Sequence, residues 1–177
     1  MPWISTIPPE EATGELADAY RRQEAKIGHV TELTQVGSLH PPLVAQRLSL
    51  YEVVEGLPST IPGWGRRAIA LTTSILNGCL FCTLGHTGKL REAGYGALAD
   101  AINADPLTAA TGDAAVDALL DYTRLLVRDP GAVSQASIEA LRDAGWDDLA
   151  ILDANNIASY YSYINRVASG LGLQGLA

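Results

Sequence analysis

The sequence predicts an all-α protein. No segment sustains the period-two alternation of a half-buried strand, whereas apolar residues recur at helical spacing in segment after segment. Those segments are bounded by cap residues, prolines and glycines of the kind that start and stop helices. The 177 residues are one domain's worth of chain, large enough to bury roughly two thirds of its unfolded surface. A single domain over residues 1–177, with roughly seven to nine helices, is the expected architecture.

Each element has its own warrant. After an irregular arm through Pro9, a first helix is expected over Gly14–Ala25, with Leu16, Ala19 and Tyr20 on one face, and a short one over Thr31–Ser38. His40-Pro41-Pro42 breaks the chain, because a residue before proline avoids the helical region, and Pro42 then suits the first turn of a helix to Glu55 with Leu43, Leu50 and Val54 inward. Pro62 opens a helix to Leu76, which Asn77-Gly78 stops. From Cys79 another runs to about Ala93, where Gly94 supplies the left-handed residue after the helix end. Tyr95–Asn103 is a short helical piece. Asp113–Arg128 places Val116, Leu119, Leu120, Leu126 and Val127 mainly on one side and ends at "RDPG". Ser134 or Ser137 caps a short helix that stops at Gly145, and Asp147 or Asp148 begins a long final one through Gly170 that is apolar nearly all round. Such a helix is either central or part of a subunit interface.

Composition narrows the function classes. Twelve Lys and Arg against twenty Asp and Glu leave a net charge of −8, and no basic stripe tracks phosphates, so neither nucleic acid nor an anionic membrane is an expected partner. No apolar run reaches about 18 residues and the start lacks a leader pattern, from which a soluble, cytoplasmic protein is expected. A charged fraction of 18% is low, and the apolar surface it implies predicts a homo-oligomer.

The chemistry concentrates in "LNGCLFCTLGHTGKLREAG", which holds both cysteines and one of three histidines. Two cysteines placed at random would show C-x-x-C spacing about one time in a hundred, and in a reducing compartment such a pair signals redox chemistry or metal binding. Cys79 falls at the N-terminal edge of a helix, where free amides and the dipole favour a thiolate. His86 lies four residues after Cys82, on the same helical face, where it can take a thiol proton. The stretch therefore holds a nucleophile, a second thiol to close a disulfide and a local base.

Other readings compete. Both cysteines can be plain buried apolar residues. Zinc can take Cys79, Cys82 and His86 with His29 or His40 as a fourth ligand, although three ligands within two helical turns make an awkward tetrahedron. Haem attachment is excluded because Thr83, not histidine, follows Cys82. His29 and His40 otherwise read as surface or capping residues, and Trp3, Trp64 and Trp146 as packing anchors. Asn155, Asn156, Tyr160, Tyr161 and Tyr163 on the last helix read as hydrogen-bonding or interface groups, with pocket lining the alternative.

The run "RRAIALTTSILNGCLFCTLGHTGKLREAG" resembles the core of the AhpD-like alkylhydroperoxidases within the carboxymuconolactone decarboxylase superfamily: an aliphatic helix, a turn with Asn77, then C-x-x-C-x-x-x-H. The first twenty residues and "LLDYTRLLVRDPGAVSQASIEALRDAGWDDLAILDANNIASYYSYINRVASGLGL" resemble its peroxidase-related branch, so the similarity spans nearly the whole chain. It implies a compact AhpD-like, oligomer-forming helical domain. It also implies a peroxidase in which Cys82 attacks a hydroperoxide, Cys79 resolves the product as a disulfide, His86 relays protons and an external dithiol restores the thiols, with no haem, flavin or metal. The helix-terminus argument instead favours Cys79 as the more acidic thiol, so the order of attack stays open. The chain departs from the pattern at Arg67, where a glutamate usually stands twelve residues before the first cysteine. A guidinium there can lower a thiol pKa if it points into the site but cannot accept a proton; Glu52 or Glu55 is a possible substitute, though both read first as solvated residues. The alternatives are a redox-sensing or zinc-binding oligomer that keeps the cysteine pair, and a decarboxylase-type member of the superfamily.

Overall fold

The computed structural model describes residues 2–56 and 58–174. Among them are nine α-helices and no strand, in agreement with the all-α expectation: α1 Gly14–Ile27, α2 Glu32–Gln35, α3 Pro41–Gly56, α4 Gly63–Leu76, α5 Leu80–Glu92, α6 Gly96–Ala104, α7 Ala114–Arg128, α8 Gln135–Asp143 and α9 Asp148–Gly170. Single 3-10 turns occupy Pro9–Glu11 and Pro130–Ala132. None of the described helices is long and apolar enough to cross a membrane. The chain divides into two compact units, residues 2–56 with Ala168–Gln174 and Pro58–Val167.

In the first unit α1 packs on α3. Leu16, Ala19 and Tyr20 are buried as expected, against Val44 and Leu48. Burying each large side chain among them stabilises the unit by about 1.5–3 kcal/mol. The Tyr20 hydroxyl donates to the Ile7 carbonyl at 2.8 Å, and the Ile7 amide donates to the buried Ser38 hydroxyl at 2.8 Å, which fixes the N-terminal arm. Two expectations need correction here. α2 is one turn, Glu32–Gln35, capped by the Thr31 side chain, rather than Thr31–Ser38. The inward face of α3 is Val44, Arg47 and Leu48, about 100° round from the expected stripe; Leu43 and Leu50 are 48% and 49% exposed and Val54 is half-buried. α3 carries apolar residues on every side, so its pattern does not choose a face. The buried Arg47 does, because its guanidinium donates to the carbonyls of Leu33 at 2.5 Å and Thr34 at 3.3 Å.

In the second unit α4 packs against α5, α6 and α7, and α7 against α8. α4 is buried along Ala68–Ser74. Val116, Leu119 and Leu120 of α7 are buried as expected, while Tyr122 and Thr123 take the inward places expected for Leu126 and Val127, which are half-buried. Cap chemistry explains the boundaries. Pro62 precedes α4 rather than opening it; Asp113 accepts from the amides of Ala115 and Val116; Ser134 and Ser137 form a capping box. Asp147 accepts from the Ala150 amide at 2.8 Å, ahead of a helix that starts at Asp148. Trp64 stacks on Tyr95 at 5.0 Å, and the Trp146 indole donates to the Ala115 carbonyl at 2.7 Å, so both serve as packing anchors.

Candidate active site

The turn between α4 and α5 locates the cysteines. Asn77 ends α4, and Gly78 follows with φ +68°, a conformation that side chains rarely adopt. The Gly78 amide donates back to the Ile75 carbonyl at 2.9 Å and the Cys79 amide to the Ser74 carbonyl at 3.0 Å, the paired bonds of a Schellman motif. One residue later α5 begins, so Cys79 both closes one helix and caps the next. Its sulfur accepts from the Cys82 amide at 3.4 Å, and its carbonyl accepts from the Thr83 amide at 2.9 Å.

Both cysteines are buried free thiols, and their side chains hydrogen-bond to one another. The neighbouring Cys79 and burial push the Cys82 thiol well above the ordinary range, while a hydrogen bond from Asn165 pulls the other way. Ionising one sulfur thus opposes ionising the other, and the pair titrates as a unit. His86, one turn beyond Cys82 on the same face, is buried too. Burial, helped by the charge of Lys89, lowers its pKa to about 3, so the imidazole is unprotonated at neutral pH. The edge of the Tyr161 ring meets it, with centroids 4.3 Å apart and planes at 83°.

Asn77 does more than end a helix. Its amide nitrogen reaches the Thr73 carbonyl at 3.0 Å, the Ser162 hydroxyl at 3.2 Å and the Asn165 oxygen at 3.1 Å. Asn165, fully buried on α9, donates to the Ser74 hydroxyl at 3.1 Å. The sequence reading passes over Asn165. Its signal was a lone amide in the buried stripe of Ala154, Ala158, Tyr161 and Ala168, where every other member is apolar or aromatic.

Arg67 donates to the Lys89 carbonyl at 2.8 Å, in the last turn of α5 and thus at the helix end away from Cys79. Glu52 pairs with Arg22 at 3.5 Å, and Glu55 is exposed. Asn155 donates to the Tyr122 hydroxyl at 2.7 Å; Tyr160 is buried, and Asn156 and Tyr163 are exposed. His29 and His40 are exposed. Among the described residues no three His, Cys, Asp or Glu side chains converge as a metal site requires, which removes the geometry the zinc reading needs.

No family model and no curated protein matches the sequence. Solved structures do. The alkylhydroperoxidase AhpD core of an uncharacterized peroxidase-related protein from Ralstonia eutropha is similar with a TM-score of 0.88 at 20% identity, covering 99% of this chain and 92% of that one. An uncharacterized peroxidase-related protein from Silicibacter gives 0.82 at 22% identity, covering 98% and 88%. The debrominase Bmp8 gives 0.75 at 16% identity, covering 99% and 92%. The chain has the AhpD-like fold.

Proposed function

We propose that this AhpD-fold protein is a member of the peroxidase-related branch and acts as a thiol-dependent peroxidase that cycles through a Cys79–Cys82 disulfide. The observation that carries the reading is the pair of adjacent buried thiols at the start of α5 with a buried imidazole one turn away. In the scheme His86 accepts the Cys82 proton, and the Cys82 sulfur attacks the O–O bond of a hydroperoxide. The sulfur is oxidised to a sulfenic acid, and the proton leaves with the departing oxygen as an alcohol or water. The Cys79 thiol then displaces water from the sulfenic acid, forming the disulfide. An external dithiol returns two electrons and two protons. The neighbouring Cys79 and burial raise the ground-state cost of a Cys82 thiolate, and the Asn165 donor and the neutral base offset it. No step draws on Arg67, whose guanidinium is committed to Lys89.

The test is a thiol count and intact mass of reduced protein before and after one equivalent of hydroperoxide. Loss of two thiols and about two mass units is expected. In Cys79→Ser the sulfenic acid should persist and be trapped at Cys82; trapping only in Cys82→Ser reverses the assigned order of attack.

The likeness to a debrominase favours a second reading, in which the same dithiol gives two electrons to a brominated aromatic, releasing bromide and closing the disulfide. Bromide release from a bromopyrrole, measured beside peroxide consumption, separates the two. We take the chain as one domain, since similar structures cover it almost entirely. We also take it as a cytoplasmic homo-oligomer; exposed Leu149, Leu152 and Tyr163 on α9 support the self-association. Light scattering of the purified protein checks the latter.

A further inference from the structure

We propose that Asn165 is the hydrogen-bond donor that holds Cys82 as an anion, its amide turned toward the sulfur by Asn77 while Ser74 takes its other hydrogen. The inference rests on the dithiol reading above and adds a residue to it. Bond polarity fixes the orientation step by step. The Thr73 carbonyl can only accept, so the Asn77 group facing it is the NH2. That NH2 also faces Asn165, so the atom Asn165 presents is its oxygen. The Asn165 NH2 must then point the other way, with two hydrogens to place. One goes to the Ser74 hydroxyl at 3.1 Å, and Cys82 is the partner of the side chain that remains. Turning the amide over would set two NH2 groups against each other at about the same distance.

An N–H donated to sulfur is stronger when the sulfur is charged, so the arrangement favours thiolate over thiol. Asn165 is 1% exposed, which shields that donor from bulk solvent. A helix-terminal amide already serves Cys79, whose sulfur takes the Cys82 N–H. The two sulfurs thus have different donors: backbone for Cys79, an α9 side chain for Cys82. This gives Cys82 an anion site of its own within a pair whose mutual repulsion opposes it.

The test is the pH profile of Cys82 alkylation by iodoacetamide in the fully reduced full-length protein, read by mass spectrometry at that residue. Asn165→Leu, of similar size without a donor, should raise the midpoint by about one pH unit, a roughly tenfold slower reaction below it. Asn165→Asp, which sets a carboxylate against the sulfur, should raise it further. The other titratable groups, Cys79, His86 and Tyr161, are the same in all variants. An unmoved midpoint in both, or equal shifts in both, overturns the assignment, because loosened packing does not distinguish Leu from Asp by charge. Where circular dichroism shows either variant unfolded, Asn77→Ala and Ser74→Ala decide instead: the first frees the amide to turn and raises the midpoint, the second leaves the donor and does not. The opposite pattern overturns the proposal. Alkylation uses no peroxide, so a wild-type protein that fails to consume peroxide but shows the shifts defeats the peroxidase reading and leaves Asn165 its role.

Discussion

Arg47 and Asn165 are both polar side chains buried in the middle of a helix, 6% and 1% exposed, and their partners set them apart. Arg47 gives its protons to two backbone carbonyls at the end of α2, acceptors that stay the same at any pH. Asn165 is tied to two side chains and a sulfur, and the sulfur can change its charge. A buried polar group that satisfies backbone carbonyls holds architecture; one that donates to a titrating atom is coupled to chemistry. The same burial thus predicts different consequences when each region is altered.

The largest consequence belongs to the sulfurs. Cys82→Ser should reduce peroxide consumption to that of buffer alone, with no disulfide formed, while the helical spectrum is kept, since a serine is close in size to the thiol it replaces. Peroxide consumption that survives the change would move the chemistry off Cys82 and remove the contrast with Arg47.

Next in size is a pH effect. His86 binds a proton near pH 6.5 when unfolded and only at about 3 when folded, so between those values the unfolded chain holds more protons. Stability is therefore complete above about pH 6.5 and is lost as the pH falls toward about 3, on the order of 5 kcal/mol in all. A series of urea melts should show that slope, and His86→Phe, which keeps an aromatic ring against Tyr161, should flatten it. A slope unchanged by the substitution would mean that other groups dominate the acid response.

Arg47→Met comes third. It removes the guanidinium donor from the Leu33 carbonyl, and one of two donors from the Thr34 carbonyl, in a buried setting, and the expected loss is about 2–3 kcal/mol. For a chain of this size that is a fall of roughly 5–10 °C in Tm. The Cys82 alkylation midpoint should stay where it is. A midpoint that moved with Arg47 would break the distinction between the two regions.

How much of this the sequence carries depends on whether the signal is local. The Asn77-Gly78 stop, the Gly94 turn with φ +91°, the Asp113 cap and the C-x-x-C-x-x-x-H spacing are local chemistry, and the structure places each helix end within a few residues of them. The face of α3 is not local. Its apolar residues lie all round, and what turns Val44 inward is a guanidinium meeting carbonyls of another helix. Asn165 lies 83 residues beyond Cys82 in the chain, and only the packing of α9 brings them together. Helices were readable because caps and periods act over a turn; buried polar partners were hidden because they act across the fold.

Arg67 is the smallest and most exacting case. The resemblance leads one to expect glutamate there, and from sequence alone a cation at this position could tune the thiols if it pointed into the site. Its guanidinium donates to the Lys89 carbonyl in the last turn of α5, where the helix end carries negative partial charge and favours a cation. Lys89 is seven residues past Cys82, roughly 10 Å along the helix. At that distance, and with a half-exposed side chain, the Coulombic effect on the sulfur is weak. By its partner Arg67 belongs with Arg47, on the architectural side. Arg67→Gln should cost less than about 1 kcal/mol and change the Cys82 alkylation rate by less than about threefold, with the midpoint unmoved. A tenfold slower reaction at constant stability would instead put the guanidinium's field on the sulfur. Backbone partnership would then no longer suffice to separate structural from chemical polar groups in this protein.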